Sequence, residues 1–443
     1  MDPKTKATII AAVEDRRDEV VAFLQRLIQY NSVTGNEAGI QAFLAQHLEA
    51  LRFAVDQFEP DADVLRHYPG FLEPEKPFAG RPNVVGVWKG AGGGRSALLN
   101  GHVDTVPLEP ISEWERGPLS GTVVDGNVWG RGASDMKGGV AAMTMAVSIL
   151  HAMGLQPRGD VILEYVVDEE RTGLGTLACV HRGYAADAGI CCETSDLEVM
   201  PACIGRMWFT IHLRGKPAGI SARWDGVSAI DKAMKLVEAV EDLEAMRIED
   251  LKHPLYPNNR GALPCAVTMF HSGTFPSITP ERATLRGSMG LMPYEDPAEV
   301  EAQLREQLHR VSMADPWLRN HPMELTTEGG YVAAGAEIPT DHPIVEAVRR
   351  SFRTVTDREP VLSGRMGASD TRFLIQQGQT PTVIFGPGVT SQMHATNEYV
   401  PVDNVLIATK VLALTIYDWC NQPPQGRTAP EAVHGGRLRS TPL

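Results

Sequence analysis

The stretch ALLNGHVDT (97–105) is an apolar segment that runs into polar side chains, as a buried strand does where it leaves the core. Side chains two positions apart on a strand lie on the same face, so we expect Asp104 beside His102. There its carboxylate could accept the second ring N–H of a metal-bound imidazole and fix the tautomer. A His-x-Asp triplet alone is more often an ordinary histidine than a metal site, so further groups are needed.

Such groups occur in two more segments. Asp135 lies in GRGASDMKGG (130–139), on a glycine-flanked turn before a helix, where its two oxygens could bridge two cations. Glu169 and Glu170 follow the apolar run VILEYVV, and adjacent side chains on extended backbone point in opposite directions. One glutamate could therefore bind metal while the other acts as a general base toward substrate water.

Glu193 in CCETSD and His394 in SQMHATNEYV complete the set. Two imidazoles and a run of carboxylates suit a pair of borderline-soft divalent cations such as zinc. Two such cations can polarise a carbonyl group and activate water at neutral pH. The combined pattern predicts a binuclear metal site.

Two kinds of strand predict two domains. Segments such as VILEYVV (161–167) and PTVIF (381–385) are continuously apolar and alternate with helical patterns, which indicates an α/β sandwich. By contrast, apolar and polar residues alternate over 207–214, as in a strand buried on one face. The order strand–helix–strand–strand–helix–strand across 207–330 predicts a small open-faced sheet with helices on one side.

We therefore predict an α/β fold with a three-layer α/β/α catalytic domain over 1–206 and 331–421. An α+β, ferredoxin-like domain over 207–330 interrupts it, so the metal site is assembled from both flanking halves. The tail 422–443 is rich in proline and glycine and is predicted to be disordered.

Composition restricts the class of protein. The 443 residues carry a formal charge of −14, which argues against binding to nucleic acid or to an anionic membrane. The six cysteines show no CxxC pairing, which favours reduced thiols in a cytoplasmic protein. No signal-peptide pattern begins the chain, and no apolar stretch approaches the roughly 20 residues that span a bilayer.

With these motifs the chain resembles the two-domain zinc deacylases and aminopeptidases that include acetylornithine deacetylase, succinyl-diaminopimelate desuccinylase, aminoacylase and glutamate carboxypeptidase. The resemblance runs from about Glu14 to Leu414. It implies that the inserted domain acts as a lid and forms homodimers. It assigns the metal ligands as His102, Asp135 and Glu193 for one ion and Asp135, Glu170 and His394 for the other.

The same resemblance implies that Glu169 is the general acid/base and that Asp104 supports the ligand His102. It also implies a cis peptide bond between Asp135 and Met136. In GASDTRFL (367–374), Arg372 matches an arginine of the desuccinylase pocket and could bind a substrate carboxylate. The alternative is a structural arginine, solvated or paired with Asp370.

The inserted domain departs from the family pattern. Where members commonly have a histidine that reaches across the dimer to stabilise the tetrahedral oxyanion, this chain has Gly219. Ser277 and Gly290 occupy positions where many relatives have substrate-binding asparagine and arginine. Gly219 is an engineered inactivation, a natural change, a substitution covered by a neighbour such as His212, or a glycine required by a turn with positive φ.

The predicted function is hydrolysis of the amide bond of an N-acyl amino acid or related small amide, with two divalent metal ions as cofactors. Zinc is the expected ion, with cobalt or manganese as alternatives. A second possibility is a dipeptidase or carboxypeptidase on the same site. A third is a non-catalytic ligand-binding relative, because the lid histidine is absent. An intact Glu169 favours catalysis, since a binding protein needs no base.

Overall fold

The computed structural model describes residues 1–327 and 331–424, so the predicted tail over 422–443 lies outside the described residues from position 425 onward. The described residues form seventeen strands: β1 (Ala54–Phe58), β2 (Asn83–Trp88), β3 (Ala97–His102), β4 (Val123–Val124), β5 (Asn127–Trp129), β6 (Val161–Val166), β7 (Ala188–Cys191), β8 (Val199–Cys203), β9 (Gly205–Arg214), β10 (Cys265–Ser272), β11 (Arg282–Leu291), β12 (Glu324–Thr326), β13 (Val332–Ala333), β14 (Ala336–Glu337), β15 (Leu362–Arg365), β16 (Thr382–Ile384) and β17 (Tyr399–Pro401). They also form twelve α-helices: α1 (Pro3–Glu14), α2 (Arg17–Gln29), α3 (Ala38–Ala50), α4 (Ala62–Leu65), α5 (Gly138–Ala152), α6 (Leu174–His181), α7 (Ala229–Asp250), α8 (Asn259–Ala262), α9 (Pro297–Ala314), α10 (Pro343–Thr356), α11 (Thr371–Gln376) and α12 (Val402–Cys420).

The large sheet has the order β1-β2-β6-β3-β7-β16-β8-β14, with β15 also paired to β8. Its centre is parallel, because β3 pairs in parallel with both β6 and β7, and β16 pairs in parallel with β7. Every residue of β3 and of β6 is buried, as expected for strands covered on both faces. Leu99 and Leu163 belong to the core on one face, and Leu98 and Ile162 to a separate core on the other. The predicted three-layer α/β/α architecture is confirmed.

The small sheet has the order β10-β11-β9-β12, and β13 also pairs with β9. Along β9 the residues Met207, Phe209, Ile211 and Leu213 are buried and join a core with residues of α7 and α9. This strand order with two helices on one face is the predicted ferredoxin-like arrangement. The sheet begins at Gly205 and includes β13, so it extends a few residues beyond the predicted range at both ends.

Two pairings bring the distant parts of the chain together. After the small sheet, β16 returns to the large sheet between β7 and β8. β17 then pairs with β5, with Tyr399 opposite Trp129. This second pairing carries the segment that contains His394 to the turn that contains Asp135.

All six cysteines are buried and free, as the sequence predicted. None of the helices in the described residues combines the length and the apolar character that crossing a bilayer requires.

Candidate functional site

The predicted site residues lie at one edge of the large sheet, where the central parallel strands end. His102 is the last residue of β3, and Glu193 follows β7 by two residues. Glu169 and Glu170 lie in the turn after β6. The carboxyl ends of parallel strands meet at one edge of a sheet, which is the usual place for a ligand in an open α/β sheet.

Asp135 lies between the two histidines. Its Oδ1 is 3.2 Å from Nε2 of His102, and its Oδ2 is 3.4 Å from Nε2 of His394. His102 Nε2 also lies 3.5 Å from Oε1 of Glu193, while His394 Nε2 lies 3.0 Å from Oε2 of Glu170. The structure thus brings all five predicted metal ligands together, with the two oxygens of Asp135 facing two different groups.

This donor set fits two divalent cations. Two overlapping groups, His102–Asp135–Glu170 and His102–Glu169–Glu193, each place one possible ligand atom per residue within 4.8 Å of the others. Within the described residues, the buried Oε1 atoms of Glu170 and Glu193 have no hydrogen-bond partner. A buried carboxylate oxygen without a donor is costly unless a cation faces it. Burial and the charge of Asp135 raise the pKa of Glu170 to about 7, although the hydrogen bond to His394 opposes the shift.

Asp104 holds the turn that carries the glutamates. Its carboxylate accepts hydrogen bonds from the backbone N–H groups of Glu169 at 3.1 Å and Glu170 at 3.3 Å, and from the hydroxyl of Thr34 at 2.9 Å. Nδ1 of His102 lies 3.0 Å from the carbonyl oxygen of Asp104 and 3.6 Å from its carboxylate. Nδ1 of His102 can therefore donate to the backbone carbonyl of Asp104, whereas the sequence suggested the Asp104 carboxylate as its acceptor.

The expectation that Glu169 and Glu170 lie on extended backbone is wrong. The strand ends at Val166, and Asp168 has a φ of 68°, so the two glutamates lie in a turn. Their side chains nevertheless diverge, since Glu169 Oε2 lies 3.8 Å from His102 Nε2 while Glu170 contacts the other histidine. The separation of the two carboxylates comes from the turn.

A buried arginine fastens the start of this turn, and nothing in the local sequence pattern singled it out. Nη2 of Arg81 donates to Asp168 at 2.7 Å and to Glu37 at 2.6 Å, and its Nε donates to Glu37 at 2.8 Å. The hydroxyl of Thr172 donates to the other oxygen of Asp168 at 2.5 Å. These charge-assisted bonds stabilise the left-handed backbone at Asp168.

Glu398, also missed by sequence reasoning, performs the same task for Asp135. Its buried carboxylate accepts hydrogen bonds from three backbone N–H groups at 2.8–3.0 Å, those of Gly132, Ser134 and Asp135. It also pairs with Arg131 at 3.0 Å. The peptide bond between Asp135 and Met136 is cis, as the resemblance implied. The sequence could have indicated Glu398, because it follows His394 by four residues in the same motif.

Arg372 does not lie on the wall of the site. Its side chain is 4% exposed, and it donates to the carbonyl oxygens of Ser369 at 3.1 Å and Thr172 at 2.9 Å. Its Nη1 lies 3.8 Å from Asp370. The structure thus differs from the expectation of an open fork for a substrate carboxylate, because the two terminal nitrogens already donate to the backbone.

Gly219 does not have the backbone conformation that would require glycine. Its φ is −64° and its ψ is 151°, which any L-residue adopts, so the explanation by positive φ is wrong. A Cβ placed on it meets nothing within 4 Å. The neighbour His212 bonds to Thr284 at 3.0 Å, across the exposed face of the small sheet.

The site opens into a cavity of about 790 Å³ between the large and the small sheet. Its lining includes the acidic and histidine groups Asp135, Glu169, Glu170 and His394, the arginines Arg66, Arg171, Arg206 and Arg365, and the aromatic residues Phe71, Trp208 and Tyr331. Three of these arginines have acidic partners, at Glu73, Glu75 and Glu193. The guanidinium of Arg206 has no hydrogen-bond or ion-pair partner within residues 1–327 and 331–424.

Comparison with known sequences agrees with this geometry. Residues 98–418 match the family described as Peptidase family M20/M25/M40. The chain is 30% identical over 434 residues to N-formyl-4-amino-5-aminomethyl-2-methylpyrimidine deformylase of Halalkalibacterium halodurans, an alignment that covers 93% of this chain and 97% of the relative. It is 29% identical over 391 residues to succinyl-diaminopimelate desuccinylase of Paracoccus denitrificans, which covers 86% and 93% of the two chains.

Solved structures share the fold. A tripeptidase from Staphylococcus aureus superposes with a TM-score of 0.69 at 22% identity, covering 92% of this chain and 99% of the other. A dinuclear metal-binding peptidase from Bacillus subtilis superposes with a TM-score of 0.65 at 13% identity, covering 92% and 99%. At these identities the likeness concerns the architecture alone.

Proposed function

The chain belongs to peptidase family M20/M25/M40, and from that premise we propose that it hydrolyses the amide bond of an N-acyl amino acid or a related small acyl amide. It is a metal-dependent hydrolase of amide bonds. The observation that carries the proposal is the position of Asp135, whose two oxygens face two histidines at 3.2 and 3.4 Å. A carboxylate in that position suits a bridge between two cations about 3.5–4 Å apart.

The proposed ligands are His102, Asp135 and Glu193 for one ion and Asp135, Glu170 and His394 for the other. When bound, such ions polarise a carbonyl oxygen and make water a stronger acid. We propose zinc because imidazole and carboxylate ligands suit it, with cobalt and manganese as alternatives. Metal analysis of the purified protein decides among them.

Glu169 is the proposed general acid/base. Its carboxylate lines the cavity and lies 3.8 Å from the ring of His102. Burial, with repulsion from Asp370 and Glu193, raises the pKa of Glu169 well above its usual range, although the charge of His102 opposes the shift. In this position it can take a proton from the attacking water and return it to the leaving nitrogen.

Arg206 is the proposed partner of the substrate carboxylate. It is half-buried in the cavity, and burial lowers the pKa of its guanidinium, although Tyr331 opposes the shift. An unpaired guanidinium in a cavity recognises a carboxylate by two parallel hydrogen bonds. This role takes the place of the one expected for Arg372.

We also propose that the chain has a catalytic domain over residues 1–206 and 331–421 and a lid domain over residues 207–330. We propose further that it is a cytoplasmic homodimer that forms through the lid domain. Support for the dimer comes from exposed apolar side chains at one end of the small sheet. Ile220, Trp224, Phe275 and Ile278 are 54%, 77%, 61% and 45% exposed and border one surface cavity. An apolar surface of this kind is typical of a protein interface.

Metal removal tests the proposed reaction. The purified protein should release amine from members of a panel of N-formyl, N-acetyl, N-succinyl and N-benzoyl amino acids. Chelation should abolish this activity, and added zinc, cobalt or manganese should restore it, because the ions are needed to activate water. Turnover of dipeptides alone would favour the peptidase alternative. A protein that binds metal and turns over no amide would contradict the proposal.

Substitution of Arg206 tests whether this residue binds a carboxylate of the substrate. Arg206→Ala is expected to raise KM by about tenfold or more for N-acyl amino acids, since hydrogen bonds to charged groups contribute about 1.5–3 kcal/mol. KM for the corresponding N-acyl amino acid amides should change little. Arg171→Ala is the matched control, because that arginine lines the same cavity but is paired with Glu75. Equal changes in KM for acids and amides would contradict the assignment.

A further inference from the structure

Part of the cavity wall comes from residues 66–75, in the connection between β1 and β2, and we name these residues the wall segment. Arg66, Phe71, Leu72, Glu73 and Glu75 of this segment line the same cavity as Glu169 and His394. Phe71 and Leu72 are half-buried. The metal-binding motifs do not include this segment, so its side chains form a part of the cavity that the proposed chemistry does not use.

The wall segment is fastened although it contains no strand and no helix. Arg66 pairs with Glu73, with Nη2 3.1 Å from Oε1, and its guanidinium lies 5.2 Å from the centre of the Phe71 ring. Glu75 pairs with Arg171 at 3.4 Å, directly after the turn of Glu169 and Glu170. An apolar side chain held in this way is available to a ligand at little further cost in conformational entropy.

The small sheet contributes aromatic residues to the same cavity. Trp208 lies on the open face of β9 and is 48% exposed. Its ring centre lies 5.5 Å from that of Tyr331, and its backbone N–H donates to the Tyr331 carbonyl oxygen at 2.7 Å. An aromatic side chain that is exposed in a ligand cavity packs favourably against a flat ring of the ligand.

We propose that Phe71 and Leu72 of the wall segment, together with Trp208, hold a flat, uncharged ring of the substrate, so that these residues determine specificity for amides that carry an aromatic ring. This inference rests on the proposed function, since it concerns the substrate of the same site. The substrate would thus be recognised by two features, this ring and the carboxylate that Arg206 is proposed to bind. The ring belongs to the amino acid or to the acyl group, and the experiment distinguishes the two.

The test compares substrates that differ by a ring. One pair is N-acetylphenylalanine and N-acetylalanine, and the other is N-benzoylglycine and N-acetylglycine. The wild-type chain should prefer the aromatic member of at least one pair. Phe71→Ala and Trp208→Ala should each reduce that preference in kcat/KM by about tenfold, since each removes an aromatic contact together with the apolar area that it buries. Activity on the member without a ring should stay within about threefold.

Tyr294→Ala is the matched control, because Tyr294 is 53% exposed and does not line the cavity. Trp208→Leu keeps an apolar side chain but removes the flat indole ring, so this variant should lose most of the preference for the aromatic substrate. Equal loss on both members of each pair, or a wild-type chain that prefers neither aromatic substrate, would overturn the inference. If the wild-type chain cleaves no amide at all, the proposed function fails. If it cleaves amides without this selectivity, only the role of the ring fails.

Discussion

Replacement of Glu169 by glutamine is expected to lower kcat by about 10³-fold, within the range of roughly 10²–10⁴ that a positioned general acid/base contributes. Glutamine has nearly the same shape but can neither accept nor return the proton. Its backbone N–H still donates to Asp104, so the turn should be kept. The measurements are kcat on the best substrate of the panel and metal content per chain, which should stay unchanged.

Glu170→Gln is the paired variant. Oε2 of Glu170 lies 3.0 Å from His394, and its Oε1 has no hydrogen-bond partner in the described chain, which supports the proposed role of this carboxylate as a metal ligand. The Glu170 variant should lose metal, and excess metal in the assay should restore part of its activity. Similar metal loss in both variants would show that the two glutamates do not divide the work as proposed.

Introduction of histidine at Gly219 is expected to raise kcat by about 10²-fold, because one oxyanion donor is typically worth about 10²–10³ in kcat. The backbone at Gly219 suits any residue, and a Cβ meets nothing within 4 Å, so the variant should fold normally. The measurement is kcat at saturating substrate with metal content as a check. Gly219→Ala is the control for the added Cβ and should leave kcat unchanged. If the wild-type chain already has a high kcat and Gly219→His leaves it unchanged, another group stabilises the oxyanion.

The fold could be predicted from the sequence because its strands differ in composition. The continuous apolar runs of the large sheet and the alternation along β9 each imply one pattern of burial, and both were right. No sequence pattern indicates that β16 lies between β7 and β8, since strand order is decided by long-range packing. Motifs therefore gave the elements and their layers, while the pairing that brings the halves of the site together had to come from the structure.

The sequence could single out the five residues that the structure brings together because each lies in a motif with a recognisable local setting. Arg81, Arg206 and Arg365 have no such setting, and an arginine in sequence is most often a solvated residue. Arg372 illustrates the converse, since its surroundings resembled a known pocket but its terminal nitrogens donate to backbone carbonyls. Which arginine remains unpaired depends on every acid near it in space, and sequence spacing does not give that information.

The return of the chain to the large sheet also sets an order for synthesis. Glu193 and His394 are about 200 residues apart. At roughly 5–20 residues per second, a ribosome needs about 10–40 s to cover that distance. Throughout most of that interval β7 and β8 lack β16, the strand that pairs between them. The large sheet and the cluster around Asp135 can therefore be completed only after β16 and His394 have been synthesised.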